Sequence, residues 1–206
     1  MHGASSRCNI KRIAAHFVLS AASPSQFPRT GVPEIAMVGR SNVGKSTLIN
    51  ALVKQKVART SAAPGKTRLA NYYHVESGLY LVDLPGYGYA RGGRESVEAF
   101  EDLTQAYFDP STRDDRRVAG VLLLIDSRHP DLPQDAAGYA WLLAAQTQIA
   151  IIATKIDKLN RSEQAKTLRM LKTNYDSPVL PVSAFEGKGL DDIWKTIRGW
   201  VNTGSP

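Results

Sequence analysis

The stretch GRSNVGKS, residues 39–46, decides the fold of this chain. It follows the apolar run EIAMV and precedes the helical pattern TLINALV, so a glycine-rich turn joins a strand to a helix. In a loop with this spacing, backbone N–H groups point at phosphate oxygens and the helix adds the positive end of its dipole. We expect Lys45 to neutralise β- and γ-phosphate charge and Ser46 to offer its hydroxyl to Mg²⁺. The predicted phosphate contacts are Gly39, Arg40, Ser41, Asn42, Val43, Gly44, Lys45, Ser46 and Thr47.

The composition suits one globular domain in a reducing compartment. The chain has 206 residues, 43% of them apolar and 22% charged, and domains commonly run to about 100–200 residues. Cys8 is the only cysteine, so no intramolecular disulfide is possible and a cytoplasmic location is expected. Lysine and arginine outnumber aspartate and glutamate 26 to 19, and the net charge of +7 favours RNA as a partner. A basic surface that merely aids solubility is the alternative.

The N-terminal region contains a short apolar run. No run approaches the ~20 apolar residues that cross a bilayer, so no membrane partner is expected. Lys11 and Arg12, followed by apolar residues 13–22, imitate a short signal peptide. We interpret this run instead as an extended segment packed on the domain.

Strand patterns alternate with helix patterns along the chain. Apolar runs rich in Val, Ile and Leu occupy residues 35–38, 72–75, 79–83, 118–126, 149–154 and 179–182. Helical patterns fit residues 45–53, 94–108, 132–145, 161–173 and 190–201, and the tryptophans of the last helix are expected in the core. The alternation predicts a three-layer α/β/α fold with a mostly parallel six-stranded sheet. Residues 76–78 are too short for a parallel crossover, so one edge strand is expected to be antiparallel.

A second motif, Asp83-Leu84-Pro85-Gly86, closes the strand at residues 79–83. A carboxylate at this position, beside the phosphate loop, can hold Mg²⁺ through water. Gly86 can offer its N–H to a γ-phosphate without obstruction by a side chain. Taken alone, the motif is an ordinary turn, but its order after the phosphate loop favours the functional interpretation.

Two further motifs follow strands and predict a guanine site. Thr154-Lys155-Ile156-Asp157 closes the strand at residues 149–154, where open α/β sheets bind ligands. Asp157 can accept from both N1–H and the 2-amino group of guanine, while the Lys155 stem lies along the base plane. Adenine lacks that donor pair and would leave the carboxylate unpaired, which costs about 1.5–3 kcal/mol. Val182, Ser183 and Ala184, after the last strand, can supply backbone N–H to the guanine O6.

The four motifs together resemble the Ras-like, translation-factor-related P-loop GTPases. The detail is similar to the EngB (YihA/YsxC) family of bacterial ribosome-biogenesis GTPases, within the TrmE–Era-like group. The stretches that carry this resemblance, from about residue 17 to residue 200, are PEIAMVGRSNVGKSTLINAL, TSAAPGKTRLANYY, LVDLPGYGYA, LLLIDSRHP, TKIDKL and PVSAFEGKGLDDIW. The resemblance implies a Ras-like GTPase domain at residues 31–206, preceded by a partly flexible extension at residues 1–30.

The resemblance also implies two switch segments. Residues Gly65, Lys66, Thr67, Arg68 and Leu69 form the first, in which Thr67 would join Ser46 and Asp83 around Mg²⁺ and bind the γ-phosphate. Residues 85–108 form the second, which would loosen when hydrolysis removes the contact at Gly86. Lys45, Thr67 and Gly86 are therefore the expected catalytic groups.

Two positions bear on the rate of hydrolysis. Tyr87 stands where Ras-like enzymes carry a water-orienting glutamine, so slow intrinsic turnover is expected. Asn42 matches an asparagine that related GTPases use to bind K⁺ as an activator. The alternative is that Asn42 only shapes the loop.

The implied role is a switch that binds GTP or GDP and acts on the large ribosomal subunit precursor, its rRNA and its proteins. Loss of family members impairs cell division and septation. Candidate RNA contacts are Lys54, Lys56, Arg59, Lys66, Arg68, Arg91 and Arg94, although such charges commonly form only a solvated face. A monomer is expected. A P-loop ATPase or nucleotide kinase, and a scaffold without catalysis, remain as alternatives.

Overall fold

A computed structural model of the chain describes residues 13–59, 69–87, 103–112 and 115–203. Within these residues, seven strands and four helices position the site. The strands are β1 (Ala15–Ala21), β2 (Pro33–Gly39), β3 (Ala70–Val75), β4 (Leu79–Asp83), β5 (Arg117–Asp126), β6 (Ile149–Thr154) and β7 (Val179–Pro181). The helices are α1 (Lys45–Val53), α2 (Pro133–Ala144), α3 (Arg161–Asn174) and α4 (Leu190–Thr203). Residues 103–108 are also helical.

The strands form one sheet in the order β1-β3-β4-β2-β5-β6-β7. Strands β2, β4, β5, β6 and β7 pair in parallel, and β3 pairs antiparallel with β4 as the short link at residues 76–78 predicted. The predicted fold class is thus confirmed. The predicted count of six strands is wrong, because β1 is a seventh strand. The antiparallel β3 is consequently not at the edge, since β1 covers it.

Strand β1 explains the apolar run near the N-terminus. It pairs antiparallel with β3, with His16 opposite His74 and Ala21 opposite Ala70. The prediction of an extended segment packed on the domain is therefore confirmed. Of the predicted extension at residues 1–30, this strand belongs to the sheet, whereas residues 1–12 lie outside the described part of the chain.

Helices cover both faces of the sheet, as the three-layer prediction required. On β2, Ile35 and Met37 face one apolar cluster while Ala36 and Val38 face the other, so this strand is buried on both sides. The first cluster includes side chains of α1 and α4, and the second includes side chains of α2, α3 and residues 103–108. The carboxyl ends of β2, β4, β5 and β6 consequently meet at one edge, between the helix layers.

The predicted helices are found where the chain is described. Helix α4 places Trp194 in the core at 3% exposure, and the indole Nε1 donates to Leu52 O of α1 at 3.1 Å. Trp200 is partly buried and packs against Gly120 of β5, where a Cβ would lie 2.1 Å from the indole ring. The tryptophans are thus core residues, as expected. Of the helix predicted at residues 94–108, the described part is residues 103–108.

Candidate functional site

The phosphate-binding loop runs from Gly39 at the end of β2 to Lys45 at the start of α1. A Cβ at Gly39 would lie 2.7 Å from Leu124 O on β5, so the close approach of the two strands requires glycine. Gly44, the N-terminal capping residue of α1, has φ of 115° and provides no side-chain cap. The first helical bond runs from Leu48 N to Gly44 O at 2.8 Å, so the N–H groups of the first turn have no partner within the helix. The positive end of α1 therefore opens onto the loop.

Lys45, Ser46 and Asp83 lie together beneath this loop. Lys45 is 8% exposed, and its Nζ donates to Gly39 O at 3.2 Å. The Ser46 hydroxyl donates to Asp83 Oδ2 at 2.7 Å. Among the described residues, the buried Asp83 Oδ1 has no hydrogen-bond partner. The structure thus brings the predicted lysine, serine and aspartate together.

Burial is the largest influence on the pKa values of Lys45 and Asp83. It lowers the pKa of Lys45, and the nearby Asp83 charge offsets the effect only in part. Burial likewise raises the pKa of Asp83, against the opposing influence of Lys45 and Ser46. Each charged form would gain from a ligand of opposite sign, namely a phosphate for Lys45 and a cation for Asp83. A hydroxyl and a carboxylate are also the oxygen donors that Mg²⁺ prefers, so this pair fits the ion.

Gly86 lies directly over the loop. A Cβ on Gly86 would be 2.7 Å from Ser41 N and 2.9 Å from Lys45 Nζ, so no larger residue fits here without a shift. The Ser41 N–H donates to Tyr87 O at 3.2 Å, and the Ser41 hydroxyl donates to Gly86 O at 3.4 Å. Leu84 and Pro85, also predicted contacts, form the backbone that leads from β4 to this glycine.

The TKID motif braces the phosphate loop. The Thr154 hydroxyl donates to Val43 O at 3.0 Å, and Lys155 Nζ donates to Asn42 O at 2.8 Å. Asn42 itself has φ of 62°. Strand β6 therefore holds the loop backbone directly, although residues 43 and 154 are 111 positions apart in the sequence.

Asp126, at the end of β5, secures this brace and was not among the predicted site residues. Lys155 Nζ donates to Asp126 Oδ2 at 2.9 Å, and Arg128 Nη2 donates to the same oxygen at 2.7 Å. Burial raises the pKa of Asp126, but the hydrogen bonds from Arg128 and Lys155 outweigh it and hold the pKa below its usual value. The sequence offers only a weak signal for it, because Asp126 ends a strand that lies, in chain order, between two motif-bearing strands.

Asp157 and Ser183 form the far end of the site. Asp157 lies in a short 3-10 helix, Ile156–Lys158, with the Ser183 hydroxyl near its carboxylate. Lys158 Nζ lies 3.4 Å from Asp157 Oδ2. The Ser183 hydrogen bond, ahead of weaker effects that include Lys158, lowers the pKa of Asp157, so this side chain is an ionised acceptor at neutral pH.

The backbone at residues 182–184 is only partly available to a ligand. Val182 N donates to Ala153 O at 2.9 Å and Ser183 N donates to Lys188 O at 3.2 Å. In the described part of the chain, Ala184 N–H has no such acceptor. Of the three backbone N–H groups predicted to bind guanine O6, those of Val182 and Ser183 are already bonded, and that of Ala184 remains. Residues 65–68 of the predicted first switch, including Thr67, lie outside the described residues, and Leu69 is exposed beside β3.

The sequence matches known proteins over most of its length. The family described as 50S ribosome-binding GTPase matches residues 34–171. A probable GTP-binding protein EngB of Limosilactobacillus reuteri is 43% identical over 185 residues, which cover 87% of this chain and 92% of that protein. The chain belongs to the EngB family. EngB proteins are GTPases, which decides against an ATPase, a nucleotide kinase or a scaffold without catalysis.

Solved structures agree on the fold. A crystal structure of a probable GTP-binding protein EngB superposes with a TM-score of 0.68 at 23% identity, covering 82% of this chain and 99% of that one. Era in complex with MgGDPNP and nucleotides 1506–1542 of 16S ribosomal RNA superposes with a TM-score of 0.63 at 22% identity, covering 85% of this chain and 59% of that one. At these identities the likeness supports the fold alone. Within the described residues, no helix of this EngB-family GTPase is both long and apolar enough to span a membrane.

Proposed function

We propose that this EngB-family GTPase holds the phosphates of GTP in the loop at residues 39–46 and the guanine base at Asp157 and Ala184. The observation that carries the proposal is the direct bonding of the base end to the phosphate end, through Thr154 to Val43 and Lys155 to Asn42. Such bonds fix the distance between an acceptor for guanine and an open helix N-terminus. A guanine nucleotide supplies groups that suit both ends at once.

Ser46 and Asp83 are the proposed Mg²⁺ site, with Thr67 as a further hydroxyl ligand that completes it in the GTP state. The unpaired Asp83 Oδ1 and the short Ser46–Asp83 bond support this choice. Bound Mg²⁺ would add positive charge beside the β- and γ-phosphate oxygens. Lys45 would bind the same phosphates from the opposite side, and Gly86 would donate its N–H to the γ-phosphate.

A binding experiment tests these assignments. Titration calorimetry of GDP and ADP with the full chain, with and without Mg²⁺, should show tight binding of GDP and weak binding of ADP. The variant Ser46→Ala should lose most of the Mg²⁺ dependence of GDP binding, while Ser162→Ala, an exposed serine of α3, should keep it. Equal affinities for GDP and ADP would contradict the guanine site, and an unchanged Mg²⁺ dependence in Ser46→Ala would contradict the metal site.

Hydrolysis is proposed to be slow without a partner. The residue at the water-orienting position is Tyr87, which lacks the carboxamide group of glutamine. Turnover of the isolated protein should fall near the ~10⁻⁴ to 10⁻² s⁻¹ of unassisted relatives of this chemistry. Turnover of several per second would contradict it. Hydrolysis in KCl and NaCl at matched ionic strength tests the proposed K⁺ role of Asn42, since equal rates would end that idea.

We further propose that the protein acts in the cytoplasm as a monomer on the precursor of the large ribosomal subunit, in support of normal cell division and septation. The 50S description of the matching family and the net charge of +7 support a ribosomal partner. Among the candidate RNA contacts, Lys54, Lys56 and Arg59 are exposed after α1. The others lie outside the described residues.

Sedimentation with ribosomal subunits under GTP, GDP and no nucleotide tests the ribosomal role. Co-sedimentation with the large subunit, strongest with GTP, is expected. The double variant Lys56→Gln/Arg59→Gln should weaken binding to the large subunit. It should also make the slope of log affinity against log salt concentration shallower, by the amount that up to about two phosphate contacts contribute. The matched double variant Lys166→Gln/Lys172→Gln, on exposed positions of α3, should bind as the wild type does. Equal loss in both pairs would indicate a general charge effect only.

A further inference from the structure

Tyr87 ties the start of the second switch to helix α2. Its hydroxyl donates to Asp135 Oδ1 at 2.8 Å, and Asp135 is fully buried in the first turn of that helix. The aromatic ring lies against Gly138, where a Cβ would be 3.2 Å from the ring. A hydrogen bond and the packing of the ring against Gly138 thus hold the Tyr87 side chain on α2.

The same tyrosine is bonded to the phosphate loop through its backbone. Its carbonyl accepts from Ser41 N at 3.2 Å, and Arg40 pairs with Tyr87 as an isolated bridge between two parallel segments. Arg40 Nε also lies 3.3 Å from Asp135 Oδ1. Asp135 therefore contacts both the phosphate loop and the second switch, and it fixes the position of one relative to the other.

This cluster is only partly satisfied, as expected of an arrangement that opens. In the described part of the chain, the buried Asp135 Oδ2 has no hydrogen-bond partner, and neither has Arg40 Nε. Burial raises the pKa of Asp135, while Tyr87 and Arg40 lower it. The Tyr87 side chain itself has one hydrogen bond, to Asp135, so a competing contact elsewhere on this segment can displace it.

We propose that Asp135 is a positioning residue that acts through Tyr87 to favour GDP over GTP. The inference rests on the proposed contact between Gly86 and the γ-phosphate. Only GTP carries the group that draws Gly86 toward the nucleotide. Because Tyr87 follows Gly86 directly, that movement strains the bonds of Tyr87 to Asp135 and Ser41. GDP lacks the γ-phosphate and leaves these bonds in place. The free-energy cost of straining them therefore lowers the affinity for GTP alone.

The variant Tyr87→Phe tests this inference, because it keeps the ring against Gly138 and removes the hydroxyl. The affinity of GTP relative to GDP should rise by up to about 10- to 150-fold, the factor for one lost hydrogen bond to a charged group. Affinities are measured with a non-hydrolysable GTP analogue and with GDP on the full chain. Tyr139→Phe is the matched control, since Tyr139 lies on the same helix and its hydroxyl lies 3.0 Å from Ser177 Oγ. Its affinity ratio should stay at the wild-type value.

A double-mutant cycle separates positioning from a general loss of structure. Asp135→Asn keeps an acceptor for the tyrosine but removes its charge, so it should raise the ratio by less than Tyr87→Phe does. In the Asp135→Asn background, Tyr87→Phe should raise the ratio by a smaller factor than in the wild type. A structural role alone would weaken both nucleotides equally and leave the ratio unchanged.

The outcomes are distinguishable from failure of the proposed site. A wild-type protein with no preference for guanine nucleotides would overturn the proposed site itself. Normal guanine binding with an unchanged ratio in Tyr87→Phe, or with an equal rise in Tyr139→Phe, would overturn only the role of Asp135. If Tyr87→Phe fails to fold, Asp135→Asn alone still decides, since an unchanged ratio in that variant contradicts the proposal.

Discussion

The proposed contact between Asp157 and the 2-amino group of guanine can be tested with a change in the ligand. Inosine diphosphate lacks only that amino group. An ionised carboxylate accepts about four hydrogen bonds. Ser183 and Lys158 approach two of these positions, so two remain for N1–H and the 2-amino group. Loss of one hydrogen bond to a charged group costs about 1.5–3 kcal/mol, so GDP should bind about 10- to 150-fold more tightly than inosine diphosphate.

The variant Asp157→Asn should remove most of this difference. An amide oxygen is a neutral acceptor, and the amide nitrogen would face the donors of guanine. The GDP to inosine diphosphate ratio should therefore fall toward one, mainly through weaker GDP binding. Asp191→Asn, an exposed aspartate of α4, is the control and should keep the wild-type ratio. Competition against a fluorescent GDP analogue gives all four affinities. A wild-type ratio near one, or an Asp157→Asn variant that keeps the full ratio, would refute the geometry.

Three further predictions concern the brace and the switch. Lys155→Met keeps the aliphatic stem but loses the hydrogen bonds to Asn42 O and Asp126, so the free energy of unfolding measured in urea should fall by about 2 kcal/mol. The control is Lys188→Met: the Lys188 side chain is 71% exposed, so its replacement should change the free energy of unfolding by less than about 0.5 kcal/mol. The ionised form of Asp126 stabilises the fold above the ordinary aspartate pKa, because its folded pKa is depressed. The stability difference between wild type and Asp126→Asn should thus be constant near pH 7 and shrink below about pH 4, as followed by urea melts at stepped pH. Gly86→Ala places a Cβ 2.7 Å from Ser41 N and should weaken GTP binding about tenfold in calorimetry, with overpacking of this kind costing about 1–3 kcal/mol.

Much of the fold followed from local patterns. The strands at residues 79–83 and 149–154 were predicted with the bounds that the structure has, because parallel buried strands are continuous apolar runs. Helix α1 likewise matched its predicted residues, since the phosphate-loop pattern fixes its start. The antiparallel hairpin of β3 and β4 followed from the three-residue link alone.

Strand β1 could not be assigned in this way. Its residues are partly exposed and alternate weakly, and their strand structure depends on pairing with β3, whose partner residues lie 49 to 60 positions later. The number of strands in a sheet depends on pairing between distant segments, and local sequence patterns do not show that pairing. The edge position of β3 was wrong for the same reason.

The site residues likewise divide into those that a local motif signals and those that depend on distant partners. Lys45, Asp83 and Asp157 are signalled by short motifs with their own spacing. Asp126 and Asp135 have no motif, and their partners come from other elements, as Lys155 and Tyr87 show. Whether a buried carboxylate serves the site is decided by three-dimensional neighbours, so the structure was needed to find both.

The hydrogen bonds of Thr154 and Lys155 to the phosphate loop have a consequence for the exit of the product. In the proposed site, the purine and the diphosphate of GDP would contact two segments that these hydrogen bonds join directly, so loosening one segment would loosen the other. A partner that accelerates departure of GDP would need to push on only one of these segments. Pressure against the exposed rim at Phe185, next to Ala184, would then free the phosphates as well.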